Sequence, residues 1–185
     1  MVTKNPNLFP PRAYHSAVYI EKHDVMVVCG GKLTPGKPAK LSSQCFMFHF
    51  ATSTWQEIDP IKFRMPCLSG HSLVQISDSS ITVIGGTFVA YGEDEDMNAN
   101  IYFYDLDSEE FNSFNLAAFG FKGRYSMATS YSKECSLIAL GGGFNNNSEE
   151  SLTIIYIENN KSATIHFCNK LLQNKSTDIS ISTLC

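Results

Sequence analysis

The chain has 185 residues, and its 14 Lys and Arg against 18 Asp and Glu give a formal net charge of −4. Hydrophobic residues make up 43% and charged residues 17%, which excludes a disordered chain, because such chains are poor in aromatic residues and rich in charge. The acidic surplus argues against general nucleic-acid binding, which requires basic side chains against phosphate. The length suits one domain with a sizeable core.

No segment of the sequence has the pattern of a membrane span or a secretory signal. The longest apolar runs, such as 25–29 and 137–140, are far shorter than the roughly 18 residues that a membrane helix requires. The first residues are polar and lead to Pro10-Pro11, unlike a signal peptide. We expect a cytoplasmic or nuclear protein, although sequons at Asn146, Asn160 and Asn174 would permit glycosylation of a secreted one.

The cysteines do not follow a metal-binding or redox pattern. No CxxC pair occurs, so neither a zinc site nor a thioredoxin-type site is predicted. We expect reduced, mostly buried thiols. The six are Cys29, Cys45, Cys67, Cys135, Cys168 and Cys185.

An internal repeat is the main signal. Pairs of glycines end an apolar run three times, at Gly30-Gly31, Gly85-Gly86 and Gly141-Gly142, at offsets of 55 and 56 residues. An aromatic residue follows each pair, and in two units another aromatic stands seven positions later. These residues are Phe48 and Trp55, Tyr104 and Phe111, and Tyr156 alone, because Ala163 takes the later place in the third unit.

Each unit predicts four antiparallel strands. The runs are short, rich in Val, Ile, Tyr and Phe, and separated by polar or glycine-containing turns, while no helical period appears. A glycine at the end of the second strand permits a tight bend where a side chain would collide with the neighbouring sheet. The predicted strands are 13–20, 25–29, 44–50 and 54–59; 70–77, 81–85, 100–106 and 110–115; and 125–131, 136–140, 152–157 and 163–168.

This order of Gly-Gly, aromatic, six residues and Trp resembles the kelch repeat, whose unit is one blade of a β-propeller. The resemblance implies an all-β, partial kelch-type propeller with three four-stranded antiparallel blades, at about 12–59, 69–115 and 124–168. Closed propellers have typically four to eight blades. We therefore expect residues 169–185 to be a polar tail or the start of a fourth blade, and additional blades or another chain to close the ring.

The loops that follow the second and fourth strands of each unit are long, and they share one end of the blades; we call this end the long-loop face. Its segments are 30–44, 86–99, 141–151, 60–69, 116–124 and 169–178. Binding residues are commonly carried by such loops.

Charge is sorted along the chain. Residues 1–64 carry eight basic and four acidic side chains, and residues 65–115 carry none and nine. One interpretation is a protein-binding face with basic and acidic sectors; the other is two solvated loops. A calcium site at 93–96 lacks the spaced ligands of a known calcium loop. The candidate partner-binding residues are Arg12, Lys32, Lys37, Lys40, Arg64, Glu93, Asp94, Glu95, Asp96 and Arg124.

Two histidines occupy matching places in the repeat. His15 and His71 stand near the start of the innermost strand, and Tyr125 is taken as the third equivalent. They either line a central channel that binds a ligand or satisfy backbone groups around the axis.

No catalytic motif accompanies the repeat. The sequence has no GxSxG, HExxH or Walker loop, so we expect neither catalysis nor a cofactor. The kelch resemblance implies a non-enzymatic module that binds a protein or peptide on the long-loop face, such as a ubiquitin-ligase substrate or a cytoskeletal protein. The alternatives are a fragment of a kelch-like propeller enzyme of the oxidase or epimerase type, and a secreted adhesive or sugar-binding kelch module.

Overall fold

The computed structural model describes residues 9–33, 40–89, 96–141, 152–158 and 162–168. Several residues with predicted roles lie outside these ranges. They are Lys37, Glu93, Asp94, Glu95, Gly142 and the segment 169–185.

The described part of the chain is all-β and contains three antiparallel sheets of four strands, which follow one another along the sequence. This arrangement is compatible with a partial propeller, and the strands lie within the predicted blade ranges. The first sheet contains β1 Ser16–Ile20, β2 Val25–Cys29, β3 Cys45–His49 and β4 Thr54–Glu57. The second contains β5 Ser72–Gln75, β6 Ser80–Ile84, β7 Asn100–Asp105 and β8 Phe111–Asn115. The third contains β9 Ala128–Ser132, β10 Leu137–Gly141, β11 Leu152–Glu158 and β12 Ser162–Cys168.

Two apolar cores hold the sheets together, face against face. Val27 of the first sheet packs in one core with Ile81 and Val83 of the second. On the other face of the second sheet, Ile84 packs in another core that contains Ile138 of the third. Because β6 is buried on both faces, all five of its residues are buried, including the polar Ser80 and Thr82, and none of them is charged.

The glycine pairs lie where neighbouring sheets approach most closely. The Gly31 amide donates to the Leu68 carbonyl at 2.7 Å, and the Gly86 amide donates to the Arg124 carbonyl at 2.8 Å. A Cβ on Gly85, whose φ is +65°, would lie 2.4 Å from the Arg124 carbonyl oxygen. The predicted role of these glycines is therefore confirmed in the first two units: a side chain would collide with the next sheet.

The predicted position of the third glycine pair, Gly141-Gly142, is one residue too early in the sequence. Gly141 is the last residue of β10 and pairs with Ala128, as Cys29 pairs with Ser16. It therefore occupies a strand position, and its equivalents in the first and second sheets are Cys29 and Ile84. Because the sequence has three glycines in a row at 141–143, it does not show which two of them match Gly85-Gly86. The matching pair is 142–143, which lies outside the described residues.

The assignment of Tyr156 is also wrong by one residue. Phe48 pairs with Met26, and Tyr104 pairs with Ile81 in the second sheet. The matching pair in the third sheet is Ile155 with Ile138, and the Ile155 side chain is fully buried. Tyr156 stands one place further along β11.

The later place of the third unit is likewise Ile165 rather than Ala163. Ile155 pairs with Ile165, ten residues away, whereas Tyr104 pairs with Phe111, seven residues away. The hairpin between β11 and β12 is therefore three residues longer than its counterpart, and the spacing of seven fails for this reason.

The expectation of reduced cysteines is wrong for Cys29 and Cys45, and also for Cys135, which is disulfide-bonded. Cys29 and Cys45 lie opposite each other on β2 and β3, with Cα atoms 4.1 Å apart, and form a disulfide. Cys67 is an exposed free thiol.

Replacing Gly85 tests the packing at the glycine pair. We expect Gly85→Ala to lower the free energy of unfolding by about 3 kcal/mol, because it combines backbone strain with a collision against Arg124. Gly120→Ala is the matched control, since Gly120 also has a positive φ, +84°, but is exposed; its expected cost is about 1 kcal/mol. Equal losses in urea unfolding would contradict the proposed contact.

Candidate functional site

The long-loop face has a fixed base in the structure. Lys32 forms backbone bridges with Ala13 and Leu41, so the loop after β2 is paired with the segment that leads into β1. Thr87 makes the corresponding bridges, to Ser69 and Met97, in the second sheet. Loops that follow second strands and segments that join the sheets therefore lie at one end, as expected.

Two exposed residues of opposite charge close these loops at matching positions. The Leu33 amide donates to the Lys40 carbonyl at 2.9 Å, and the Phe88 amide donates to the Asp96 carbonyl at 2.9 Å. Lys40 and Asp96 are both exposed, and Lys32 is half-buried. Of the predicted partner-binding residues, these three are held at the bases of loops on the long-loop face.

Arg12 is turned into its own sheet. Its Nη1 donates to the Gly30 carbonyl at 2.9 Å and to the Gln44 carbonyl at 3.3 Å. The guanidinium carbon lies 4.8 Å from the centre of the Phe9 ring and 5.0 Å from that of Phe46. Burial lowers the pKa of Arg12, against the opposing charge of Glu57. These contacts give Arg12 a structural role at the end of β2.

The other two predicted arginines lie in different surroundings. Arg124 is only 6% exposed, and burial lowers its pKa. Arg64 is exposed, and its guanidinium lies 5.2 Å from the centre of the Phe111 ring, on the outermost strand of the second sheet. A role for either residue in partner binding stays a prediction, and Arg124 offers little surface for it.

Asn98 is a structurally important residue that the sequence analysis missed. Its Nδ2 donates to the Gly85 carbonyl at 2.9 Å and to the Asn100 carbonyl at 3.0 Å, and its Oδ1 accepts the Asn100 amide at 3.0 Å. Leu68 stands in the second unit where Arg12 stands in the first. Asn98 thus satisfies the carbonyl of the first glycine in the second sheet, as Arg12 does in the first. The sequence did contain a signal: Leu68 stands in the place of Arg12, so the second unit needs another side chain to satisfy the glycine carbonyl.

In the second and third sheets, the residue at the start of the innermost strand packs against a glycine of the preceding sheet. His71 is 4% exposed and lies against Gly30, where a Cβ would be 2.6 Å from its Cε1. Neither of its ring nitrogens has a hydrogen bond of good geometry. Burial, with a contribution from the charge of His15, lowers the pKa of His71 to about 4, although the Cys29 backbone opposes the shift.

The third equivalent of His15 and His71 is Met127, not Tyr125. Met127 lies against Gly85 as His71 lies against Gly30. The residues just before them fix this alignment, because they share a left-handed backbone: φ is 56° at Tyr14, 65° at Gly70 and 54° at Ser126. A position that accepts Met as well as His is consistent with packing rather than with ligand binding.

Part of the charge sorting has a structural explanation at the opposite end of the sheets. Side chains from the parts of the chain before and after the second sheet form ion pairs with acidic residues in the hairpins of that sheet. The pairs are Lys22 with Asp107, Lys62 with Glu109, and Lys133 with Asp78, and His23 Nε2 lies 3.1 Å from an Asp107 carboxylate oxygen. Asp78, Asp107 and Glu109, which are three of the nine acidic residues in 65–115, therefore form ion pairs within the chain.

Among the residues that the structure describes, no three His, Cys, Asp or Glu side chains are grouped as metal ligands. In the same part of the chain, we find no helix with the length and apolar character needed to cross a membrane.

Comparisons with known proteins inform the fold alone. The chain matches no protein-family model, and no curated protein is similar to it in sequence. Among solved structures, it is similar to one titled "Structure of YjhT", with a TM-score of 0.63 and 12% sequence identity. The match covers 85% of this chain and 51% of that one, so this chain spans about half the length of YjhT. This similarity supports an all-β, propeller-like arrangement of antiparallel four-stranded sheets.

Removing the Asn98 side chain should destabilise the second sheet. We expect Asn98→Ala to lower the free energy of unfolding by about 2 to 3 kcal/mol, because the buried Gly85 carbonyl loses its donor. Asn115→Ala is the control, since its exposed side chain accepts only the Ala117 amide. The two variants are compared by urea unfolding, and a loss for Asn98→Ala no greater than that of the control would contradict this role.

The buried His71 predicts a pH-dependent stability. Its pKa is about 4 in the folded chain, against roughly 6.5 when unfolded, so the unfolded state binds more protons below pH 6.5. This contribution to stability is complete above pH 6.5 and is lost as the pH falls toward 4, by up to about 3 kcal/mol.

His71→Met isolates this contribution, since Met occupies the matching position in the third sheet. We expect the variant to lose that part of the decrease in urea-unfolding free energy between pH 7 and 4.5. His15→Met, at the exposed equivalent, is the control and should keep most of it, because burial is the largest cause of the lowered His71 pKa and the charge of His15 is the smaller one. An unchanged pH profile for His71→Met would show that another group is responsible.

Proposed function

We propose that this chain is a non-enzymatic interaction module of the kelch-propeller type, which binds a protein or peptide partner on its long-loop face. The kelch assignment is supported by glycine pairs that bring neighbouring sheets together and by the matching rows of Phe48 with Trp55 and Tyr104 with Phe111. The resemblance favours a cytoplasmic adaptor or scaffold whose partner is a ubiquitin-ligase substrate or a cytoskeletal protein.

The observation that carries the binding proposal is the charge at the bases of the loops that follow β2 and β6. Lys40 and Asp96 are exposed at equivalent positions of adjacent sheets, and each is held by a backbone hydrogen bond across its loop. A loop that carries a basic residue at its base, next to a loop that carries an acidic residue there, can select a peptide with charges of both signs and fix its direction. The rigid sheets below reduce the ordering that binding would cost.

The second loop adds acidic residues to the same sector. Its sequence, 92–96, contains four consecutive acidic residues that end at Asp96. A partner segment with two or more basic residues therefore fits the second sheet, and an acidic group fits Lys32 and Lys40 of the first.

Peptide selection on the purified chain tests this proposal. Peptides are selected from a random display library on the immobilised protein, synthesised, and titrated by fluorescence polarisation. We expect selected peptides to combine basic and acidic residues. Replacing Glu93, Asp94, Glu95 and Asp96 by their amides should weaken binding at least tenfold, roughly the effect of losing 1.4 kcal/mol.

The control neutralises exposed acids at the other end of the sheets. Glu21→Gln combined with Glu134→Gln should leave the affinity unchanged, because both residues lie in or next to hairpins that connect first and second strands. Lys32→Ala and Lys40→Ala test the basic sector separately. If the selected peptides bind equally well to every variant on the long-loop face, the proposed face is wrong.

A further inference from the structure

The connection between the second and third sheets exposes a run of residues that has neither charge nor polar side chains. Ala117, Ala118, Phe119 and Gly120 are all exposed, and Phe119 is 44% exposed. We call residues 117–120 the apolar turn. Four consecutive exposed residues of this kind add nothing to a core and lower solubility, so such a run points to a function.

The apolar turn is held in place at both ends. It contains a one-turn 3-10 helix, Ala117–Phe119, and lies between Leu116 and Phe121, which are 0% and 2% exposed in the core shared with the third sheet. The Asn115 side chain accepts the first amide of this helix at 2.8 Å. The exposed side chains are therefore presented by a fixed backbone, which reduces the ordering that binding would cost.

The matching connection between the first and second sheets does not expose such a run. At an offset of 56 residues, Lys62 and Phe63 correspond to Ala118 and Phe119. Phe63 is 3% exposed and stacks on Tyr104, with ring centres 4.5 Å apart, while Lys62 forms an ion pair with the second sheet. The repeat therefore does not require an exposed aromatic residue at this place, and Phe119 is a departure from it.

The apolar turn lies beside the acidic loop that follows β6. Phe119 stacks on Phe114 of β8, with ring centres 5.6 Å apart. The Leu116 amide donates to the Ala99 carbonyl at 2.9 Å, which joins the start of the turn to the segment that leaves this loop. Ala99 stands three residues after the exposed Asp96. An apolar surface and an acidic one are therefore neighbours on the long-loop face.

We propose that the apolar turn binds a large apolar side chain of the same partner whose basic residues meet the acidic loop. This inference rests on the proposed function and adds the composition of the partner segment, in which a leucine, methionine or aromatic residue stands beside basic residues. Charge selects this occupant, because the four residues at 93–96 are all acidic and the turn itself carries no charge. Phe119 supplies the aromatic surface on which interfaces concentrate binding energy.

Phe119→Ser tests this contact with the peptides selected on the immobilised chain. We expect those peptides to carry a large apolar residue beside their basic residues, and the variant to weaken their binding at least about tenfold in fluorescence polarisation. Phe119→Leu should keep most of the affinity, because the contact requires an apolar surface. Ile61→Ser is the matched control: Ile61 is 81% exposed in the connection between the first and second sheets, and its loss should leave the affinity unchanged.

Circular dichroism of the variants shows whether they fold. Binding that is lost when residues 93–96 are neutralised but kept in Phe119→Ser would overturn this inference and leave the proposed function standing. Binding that only Phe119→Ser weakens would contradict the proposed function and, with it, the basic residues expected beside the apolar one. A wild-type chain that forms dimers in light scattering, and that Phe119→Ser makes monomeric, would also overturn the inference, because the turn would then bind a second copy.

Discussion

The close approach of neighbouring sheets at the glycine pairs is the constraint on which the rest of the structure depends. Two backbone hydrogen bonds, from Gly31 to Leu68 and from Gly86 to Arg124, join different sheets at 2.7 and 2.8 Å. Such contacts leave no space for a Cβ, which explains the glycines. The apolar faces meet because the sheets are held this near, and the innermost side chains His71 and Met127 pack against the same glycines.

This close packing leaves the carbonyl of the first glycine without a strand partner, and the chain satisfies it in two ways. Arg12 reaches the Gly30 carbonyl from the leading segment, whereas Asn98 reaches the Gly85 carbonyl from the segment before β7. An unpaired buried carbonyl would cost about 1 to 3 kcal/mol. A basic residue that resembles a ligand contact in the sequence is therefore used to hold the sheet, and the loop bases at Lys40 and Asp96 carry the proposal for binding instead.

The sequence predicted the strands well because short runs rich in Val, Ile, Tyr and Phe, separated by polar or glycine-containing turns, specify them locally. It failed in the third unit, where the run of glycines at 141–143 fits two registers and Tyr156 lies next to the buried Ile155. Only the pairing between strands decides such cases. The sequence also does not show in which direction a long side chain points. Arg12 points into its own sheet because it donates to the carbonyl of Gly30, which is 18 residues away. Lys37 and Glu93–Glu95 of the predicted site lie outside the described residues, so their role stays a prediction.

Amide hydrogen exchange of the glycine pairs, followed by NMR, tests the central claim most directly. If backbone hydrogen bonds at Gly31 and Gly86 join the sheets, their amides should exchange only through global unfolding, with the same free energy as the amide of Val83 in the buried strand β6. Exchange of these glycine amides at a much lower free energy, while Val83 stays protected, would show that the sheets separate without unfolding and would contradict this account.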